Sequence, residues 1–160
     1  MRHVIGVLVE NKFGVLAHVS GLFSARGFNI TSLAVGETED PTVSRMTIVV
    51  EGDERTLEQI KKQLNKLIDV IKIHDMTQTN FIDRELVLIK VKVDAKSRQE
   101  VIKAVETIGA AVANVGTEYI TIEAVGDQNK IATLLELLKP FGIAEVVRTG
   151  RIAIAVEEKK

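Results

Sequence analysis

Apolar positions along the chain alternate between two spacings, one typical of strands and one typical of helices. Residues 3–10 are rich in β-branched side chains and end at a turn, as buried strands do. Residues 14–26 then place Leu16, Val19 and Phe23 on one helical face. Two further strands, a second amphipathic helix and a fourth strand complete the order βαββαβ in the first half of the chain. This order predicts a ferredoxin-like fold.

The second half of the chain repeats this order. A Gly-Asp pair begins the second helix of each half, first as Gly52-Asp53 and again as Gly126-Asp127, 74 residues later (126 minus 52). Three apolar helix positions correspond at the same offset: Leu57 with Ile131, Ile60 with Leu134, and Leu64 with Leu138. We interpret this as a duplicated fold. Because any amphipathic helix after such a cap would match comparably, common ancestry of the halves stays open.

The pattern therefore predicts an α+β protein with two tandem ferredoxin-like βαββαβ domains. Periodicity is lost in a short polar stretch, so we place the first domain at 1–76, a linker at 77–83 and the second domain at 84–160. The final segment, Arg151–Val156, is a candidate for an added edge strand.

Charge and aromatic content make nucleic acid an improbable partner. Lys and Arg number 21, Asp and Glu number 22, and the net charge is -1, which provides no long-range attraction for a polyanion. RNA-recognition domains share the βαββαβ order but stack bases on aromatic side chains of the sheet. Residues 44–50, the third strand, contain no aromatic side chain. We therefore expect no nucleic-acid partner.

The sequence also bears on location. It contains no cysteine, and its beginning, Met1-Arg2-His3-Val4, continues directly into a strand pattern unlike a signal peptide. No apolar run approaches the roughly 18 residues that a membrane helix needs. We expect a cytoplasmic protein without a membrane partner.

Motifs for catalysis are absent from the sequence. It has neither a Gly-x-Ser-x-Gly elbow nor a Gly-x-x-x-x-Gly-Lys-Ser/Thr phosphate loop. The three histidines, His3, His18 and His74, lack the spacing of metal ligands. We therefore expect no catalytic residue and no metal site, and we disfavour a small enzyme on this scaffold.

The loop after the first strand is the most informative segment. Asn11 ends the strand, and Gly14 begins an apolar helix whose first N–H groups carry the positive end of the helix dipole. Such amides form an anion site, and an Asn side chain suits the ammonium and carboxylate of an amino acid. Asn29 begins the second strand and could approach Asn11 of a second copy. From the residues alone, a turn former, a helix-start glycine and a loop cap explain these three positions equally well.

A family resemblance favours the binding interpretation. Residues 7–16 resemble the start of an ACT domain, and the segments that follow resemble one branch of that superfamily, the small subunit of acetolactate (acetohydroxyacid) synthase. The segments that carry the resemblance are 21–33, 40–48, 57–67, 84–86 and 139–143. One departure is Phe13, where proline or a small polar residue is commoner in the family.

The resemblance implies a regulatory subunit without catalytic residues. In the family, the ACT domain pairs with a second copy, and valine, or leucine or isoleucine, binds at the interface as a feedback inhibitor. Asn11 and the backbone of Gly14, Val15 and Leu16 would hold the head group from one copy. The second copy would contribute Asn29 and Ile30.

The resemblance also implies the partners. The small subunit forms a homodimer or a higher homo-oligomer and activates a separate large, catalytic subunit. That subunit carries thiamine diphosphate, Mg²⁺ and FAD, so we expect no cofactor in this chain. The second half lacks an Asn-x-x-Gly loop, so we expect it to serve docking and dimerisation. The alternative is a stand-alone ACT-type amino-acid sensor that regulates another protein; co-purification with a large thiamine-dependent partner would distinguish the two.

Overall fold

The computed structural model describes residues 1–157, which form two compact units. Unit 1 contains residues 1–82 and 151–157, and unit 2 contains residues 83–150. The strands and helices are β1 (Arg2–Glu10), α1 (Val15–Ala25), β2 (Asn29–Glu37), β3 (Val43–Glu51), α2 (Glu54–Asn65), β4 (Val70–Asp75), β5 (Phe81–Lys92), α3 (Ser97–Thr107), β6 (Ala111–Val115), β7 (Tyr119–Gly126), α4 (Gln128–Leu138), β8 (Ile143–Arg148) and β9 (Ile152–Ala155). A short 3₁₀ turn follows α4 at Lys139–Phe141.

Unit 1 has the predicted ferredoxin-like topology. Its sheet has the order β2-β3-β1-β4, and neighbouring strands are antiparallel. Alternate residues of β1 and β3 face the two helices, as the period of two in a strand requires. The core on this face contains the buried residues Ile5, Val7, Val9, Val19, Phe23, Ile48, Val50, Ile60 and Leu64.

Unit 2 repeats the arrangement with its own core. The strand order is β6-β7-β5-β8, and neighbouring strands are again antiparallel. Strand β9 also pairs with β5. The core residues include Val87, Ile89, Val91, Val101, Val105, Ile120, Ile122, Ile131 and Leu134. The predicted α+β class and the two ferredoxin-like folds are therefore confirmed.

The Gly-Asp repeat has a clear structural basis. Asp53 accepts a hydrogen bond from the backbone N–H of Thr56 at the start of α2. Asp127 accepts the equivalent bond from Lys130 at the start of α4. All six helix positions paired by the 74-residue offset are buried. The same cap thus begins the second helix of each unit.

Loss of either cap should destabilise its helix. Replacing Asp53 or Asp127 with alanine removes a bond to an otherwise unpaired helix N–H, and we expect unfolding free energy to fall by about 0.5–2 kcal/mol. Asparagine at the same positions is the control, because it caps almost as well as aspartate. Denaturant unfolding measures the difference. Equal stability of the Ala and Asn variants would contradict a capping role.

Two segments differ from the sequence-based division. The predicted linker, 77–83, is a turn followed by strand, because β5 already begins at Phe81. The strand Ile152–Ala155, predicted within the domain 84–160, groups with unit 1. The reason is a set of hydrogen bonds to the unit 1 sheet, including one from the Arg151 N–H to Ser32 Oγ at 2.8 Å.

Candidate functional site

The candidate site begins at Asn11, directly after β1. The Asn11 backbone N–H donates to the carbonyl oxygen of Thr42 at 2.7 Å. Its side-chain Nδ2 donates to Glu37 Oε1 at 3.1 Å and to the carbonyl oxygen of Pro41 at 3.0 Å. The side chain is exposed, and its amide oxygen accepts no hydrogen bond from the residues that the structure describes. The β2–β3 turn and the end of β2 thus orient the Asn11 side chain, and its amide oxygen is left to accept a hydrogen bond.

Gly14 starts helix α1 in a left-handed backbone conformation. Its φ is 84° and its ψ is -8°, a region in which residues with a Cβ are strained. A Cβ at this position would meet open space, so backbone conformation rather than crowding favours glycine here. No side chain caps α1, and its first turn contains no acidic residue. The helix N-terminus therefore retains its positive end for an anion.

Val15 and Leu16 continue from Gly14 into the helix. The Val15 side chain is buried in the core of unit 1, and its N–H makes only a long bond of 3.5 Å to the Lys12 carbonyl. Leu16 remains 45% exposed beside the loop. Its backbone, together with that of Gly14, lies at the helix start as predicted.

Asn29 and Ile30 lie at the other end of the sheet. Asn29 pairs with Glu51, which also pairs with Arg2 at the start of β1. Asn11 follows the last residue of β1, so roughly eight strand residues, or about 26 Å, separate the two asparagines along the sheet. Asn29 is exposed and Ile30 is half-buried. Within one copy, the structure does not bring the two halves of the predicted site together.

The β2–β3 turn contributes residues that sequence reasoning missed. Pro41 accepts a hydrogen bond from the side chain of Asn11, and Thr42 accepts one from its backbone N–H. The turn is itself fixed by Asp40 Oδ1, which accepts from the Thr42 hydroxyl at 2.7 Å and from the Thr42 N–H at 3.0 Å. The hydroxyl bond and then the backbone bond hold the pKa of Asp40 below its ordinary value.

The hydrogen bonds of Asp40 predict an acid-sensitive turn. Because the folded pKa is lowered, their contribution is complete above the unfolded value of about 3.9, and it is lost as the pH falls through the folded pKa. We expect the side-chain amide signals of Asn11 to shift in NMR spectra over this acidic range. Asp40→Asn is the control, because it has no titrating group. An Asn11 signal that titrates equally in this variant would contradict the link.

Charged groups beside the loop pair with one another. Lys12 Nζ lies 2.7 Å from Glu10 Oε2 and 4.0 Å from Asp69 Oδ1. The Lys12 hydrogen bond and charge lower the pKa of Glu10, and the pKa of Lys12 is correspondingly raised. The aromatic ring of Phe13, the departure from the family pattern, is fully exposed. It therefore fills no pocket within this copy.

Other chemistry is limited in the described part of the chain. Among residues 1–157, no group of three or more His, Asp or Glu side chains is arranged to hold a metal ion. His3 is buried, and its Nε2 donates to the Gly52 carbonyl oxygen at 3.1 Å, which indicates a structural role. No helix in the described residues is long and apolar enough to span a membrane.

The fold and the Asn11–Gly14 loop define a protein of the ACT class. Residues 5–72 match a family model described as "AHAS small subunit-like ACT domain". Residues 84–157 match one described as "Small subunit of acetolactate synthase". The chain belongs to the acetolactate synthase small-subunit family, and the resemblance seen in the sequence is confirmed.

Relatives support this over the whole chain. The acetolactate synthase small subunit of Mycolicibacterium smegmatis is 54% identical over 96% of this chain and 90% of its own length. The probable small subunit of Archaeoglobus fulgidus is 47% identical over 100% of both. The crystal structure of the Thermotoga maritima small subunit is similar with a TM-score of 0.89 at 38% identity, covering 99% of each chain. A small subunit implies a large-subunit partner.

Proposed function

We propose that this chain is the regulatory subunit of acetolactate synthase in branched-chain amino-acid biosynthesis. It binds valine, or leucine or isoleucine, at an interface between two ACT domains, activates the catalytic subunit and mediates feedback inhibition. The observation that carries the proposal is the position of Asn11 with Gly14 at one end of strand β2 and of Asn29 at the other. Two copies whose β2 strands run antiparallel would bring Asn11 of each copy to Asn29 of the other and so form two complete sites.

Strand β2 is suited to join two copies. It forms one edge of the unit 1 sheet, and Val35 on this edge is 45% exposed. Antiparallel pairing of two β2 strands about a two-fold axis at Leu33 would place Asn29 of one copy opposite Glu37 of the other. Because Glu37 contacts Asn11, Asn29 of each copy would lie near Asn11 of the other copy.

The groups at this interface match the head group of an amino acid. The N–H groups at the start of α1, which no side chain caps, suit the carboxylate, and the free amide oxygen of Asn11 suits the ammonium group. Asn29 and Ile30 of the second copy complete the site in this proposal. Burial of an isopropyl side chain would contribute about 1.5–3 kcal/mol. One methylene more or less would change binding by only about 1–3 kcal/mol, which permits leucine or isoleucine as weaker effectors.

Regulation requires that the effector bind one arrangement of the subunits more tightly than another. Tight binding to both arrangements equally would shift nothing. Because the proposed site includes residues of two copies, effector binding and dimer geometry are thermodynamically linked. We propose that valine changes the orientation of the two ACT domains and thereby their contacts with the catalytic subunit.

Catalysis belongs to the large subunit in this proposal. Thiamine diphosphate, Mg²⁺ and FAD are expected there, and unit 2 of this chain serves docking and dimerisation. Support for the division comes from the small-subunit family and from the loop of unit 2 between β5 and α3, which lacks the Asn-x-x-Gly sequence.

Reconstitution with the catalytic subunit tests the function. We expect the purified chain to raise acetolactate formation by that subunit, and valine to lower the raised rate towards that of the catalytic subunit alone. The catalytic subunit without this chain, with and without valine, is the control. Activation without an effect of valine, leucine or isoleucine would contradict the sensor role. Absence of both effects would favour a stand-alone ACT-type sensor of another protein.

A further inference from the structure

The second face of the unit 1 sheet, opposite the helices, is covered by the C-terminal strand. Val4 on β1 and Val49 on β3 point to this face and form a cluster with Met76. Ala153, the inward residue of β9, packs into the same cluster and is only 9% exposed. Its neighbour Ile154 points outward and is 65% exposed. Strand β9 therefore has one buried side and one exposed side.

Hydrogen bonds to side chains of β2 and β3 fasten β9 and the preceding Arg151 to the hairpin. The Arg151 N–H donates to Ser32 Oγ at 2.8 Å. The Ala153 N–H donates to Thr47 Oγ1 at 3.4 Å, and Arg45 Nη2 donates to the Ala153 carbonyl oxygen at 3.4 Å. Strand β9 pairs through its backbone with β5, and side chains on the surface of the hairpin β2–β3 hold it against the hairpin.

The guanidinium of Arg45 lies close to Gly6 of strand β1. A Cβ on Gly6 would lie 2.5 Å from Arg45 Nη2, so this close approach requires glycine or a shift of the guanidinium. Arg45 Nε is buried and has no hydrogen-bond partner among the described residues. Release of β9 would take away the hydrogen bond to the Ala153 carbonyl and open the guanidinium to water.

The hairpin that holds β9 also carries the candidate effector site. Asn29 and Ile30 begin β2, and the turn between β2 and β3 holds Asn11 through Pro41 and Thr42. Ser32, which accepts from the Arg151 N–H, lies only three residues after Asn29. Contacts with β9 therefore act on the same two strands that position both parts of the site.

We propose that β9 is a latch on the β2–β3 hairpin, and that the closed latch holds the hairpin in the arrangement that binds the effector. The second part of this proposal rests on the proposed function. Strand β9 is weakly fastened to the hairpin, because its buried side chain is a small alanine and two of its hydrogen bonds to β3 are longer than the usual 2.7–3.2 Å. Its backbone pairing with β5 does not involve the hairpin. These contacts with the hairpin can break without unfolding of the unit 1 sheet.

Two substitutions on adjacent residues of β9 test the latch. Ala153→Lys places a charge in the apolar cluster, beside the like charge of Arg45, and should release the strand. Ile154→Lys introduces the same group on the exposed side and is the matched control. In the full chain, we expect hydrogen exchange of the β2–β3 amides to accelerate about tenfold or more in Ala153→Lys only. Equal exchange in the two variants would overturn the latch.

A milder variant distinguishes release of β9 from unfolding of the whole unit. Thr47→Val keeps the shape of the buried side chain but removes the acceptor for the Ala153 N–H. Its effect on exchange should be confined to β9, β2 and β3. Acceleration spread equally over α1, α2 and β4 would overturn the latch in favour of a loss of stability of the whole unit.

Valine affinity, measured by calorimetry, tests the connection to the effector. We expect about a tenfold loss for Ala153→Lys, within the range of linked sites, and no change for Ile154→Lys. Faster exchange with wild-type affinity would overturn the connection. Absence of valine binding by the wild-type chain would instead contradict the proposed function, and the latch would still be decided by the exchange rates.

Discussion

Alanine at Asn29 is expected to reduce valine affinity by more than tenfold, and alanine at Asn11 should have an effect of the same size. In the proposed site, each asparagine makes a hydrogen bond to a charged head group, a contact that contributes about 1.5–3 kcal/mol. A loss of about 1.4 kcal/mol corresponds to a tenfold change in the dissociation constant. Calorimetry on the purified variants measures it directly.

The fold should survive both substitutions. Asn11 and Asn29 are exposed, and the bonds that Asn11 makes with Glu37 and Pro41 lie at the surface. Asn65→Ala, at an exposed asparagine of the same unit, is the matched control and should bind valine like the wild type. Unchanged affinity in either site variant would show that the residue is only a turn or loop former.

Alanine at Phe23 is expected to cause the largest loss of stability. Phe23 lies on α1 with no exposed surface, and its ring meets that of Phe28 edge to face at a centroid distance of 6.4 Å. Removal of a buried phenylalanine ring usually costs about 3–5 kcal/mol, because apolar burial is lost and a cavity remains. The Phe28 N–H also donates to the Phe23 carbonyl at 3.0 Å, so the cavity would lie close to Asn29, the residue after Phe28.

Denaturant unfolding of the full chain measures this loss of stability. His18→Ala, on the exposed side of the same helix, is the control and should change the unfolding free energy by less than about 0.5 kcal/mol. If Phe23→Ala lowers the unfolding free energy by less than about 1 kcal/mol, the core around α1 must rearrange to fill the cavity. That result would contradict a close-packed interior.

Local patterns predicted most of the fold. The helices follow from apolar spacing, and the Gly-Asp pairs predicted both capped starts because the cap and the buried positions of each helix are close in sequence. The alternating segment Ile152-Ala153-Ile154-Ala155 also indicates a strand. Its place on the unit 1 sheet depends on contacts with Arg45 and Thr47, more than a hundred residues away, which periodicity does not encode.

The candidate site was predicted in part for the same reason. Asn11 and Gly14 lie within four residues of sequence, and the structure confirms that helix α1 begins directly after this glycine. The side chain of Asn11 contacts Glu37, at the end of β2, and Pro41, in the loop that follows, which lie 26 and 30 residues away. Only the sheet register, which sets Glu10 opposite Val43, brings that loop to Asn11.

A mixture of the two asparagine variants tests most directly whether the effector site is shared between copies. Asn11→Ala and Asn29→Ala chains are unfolded together, refolded in equal amounts and titrated with valine by calorimetry. Neither variant alone should bind valine with wild-type affinity, but each mixed dimer should regain one intact site. The mixture should therefore recover about a quarter of the wild-type binding capacity, because a two-fold dimer has two equivalent sites. Folded mixed dimers that show no site of wild-type affinity would contradict a site built from Asn11 of one copy and Asn29 of the other.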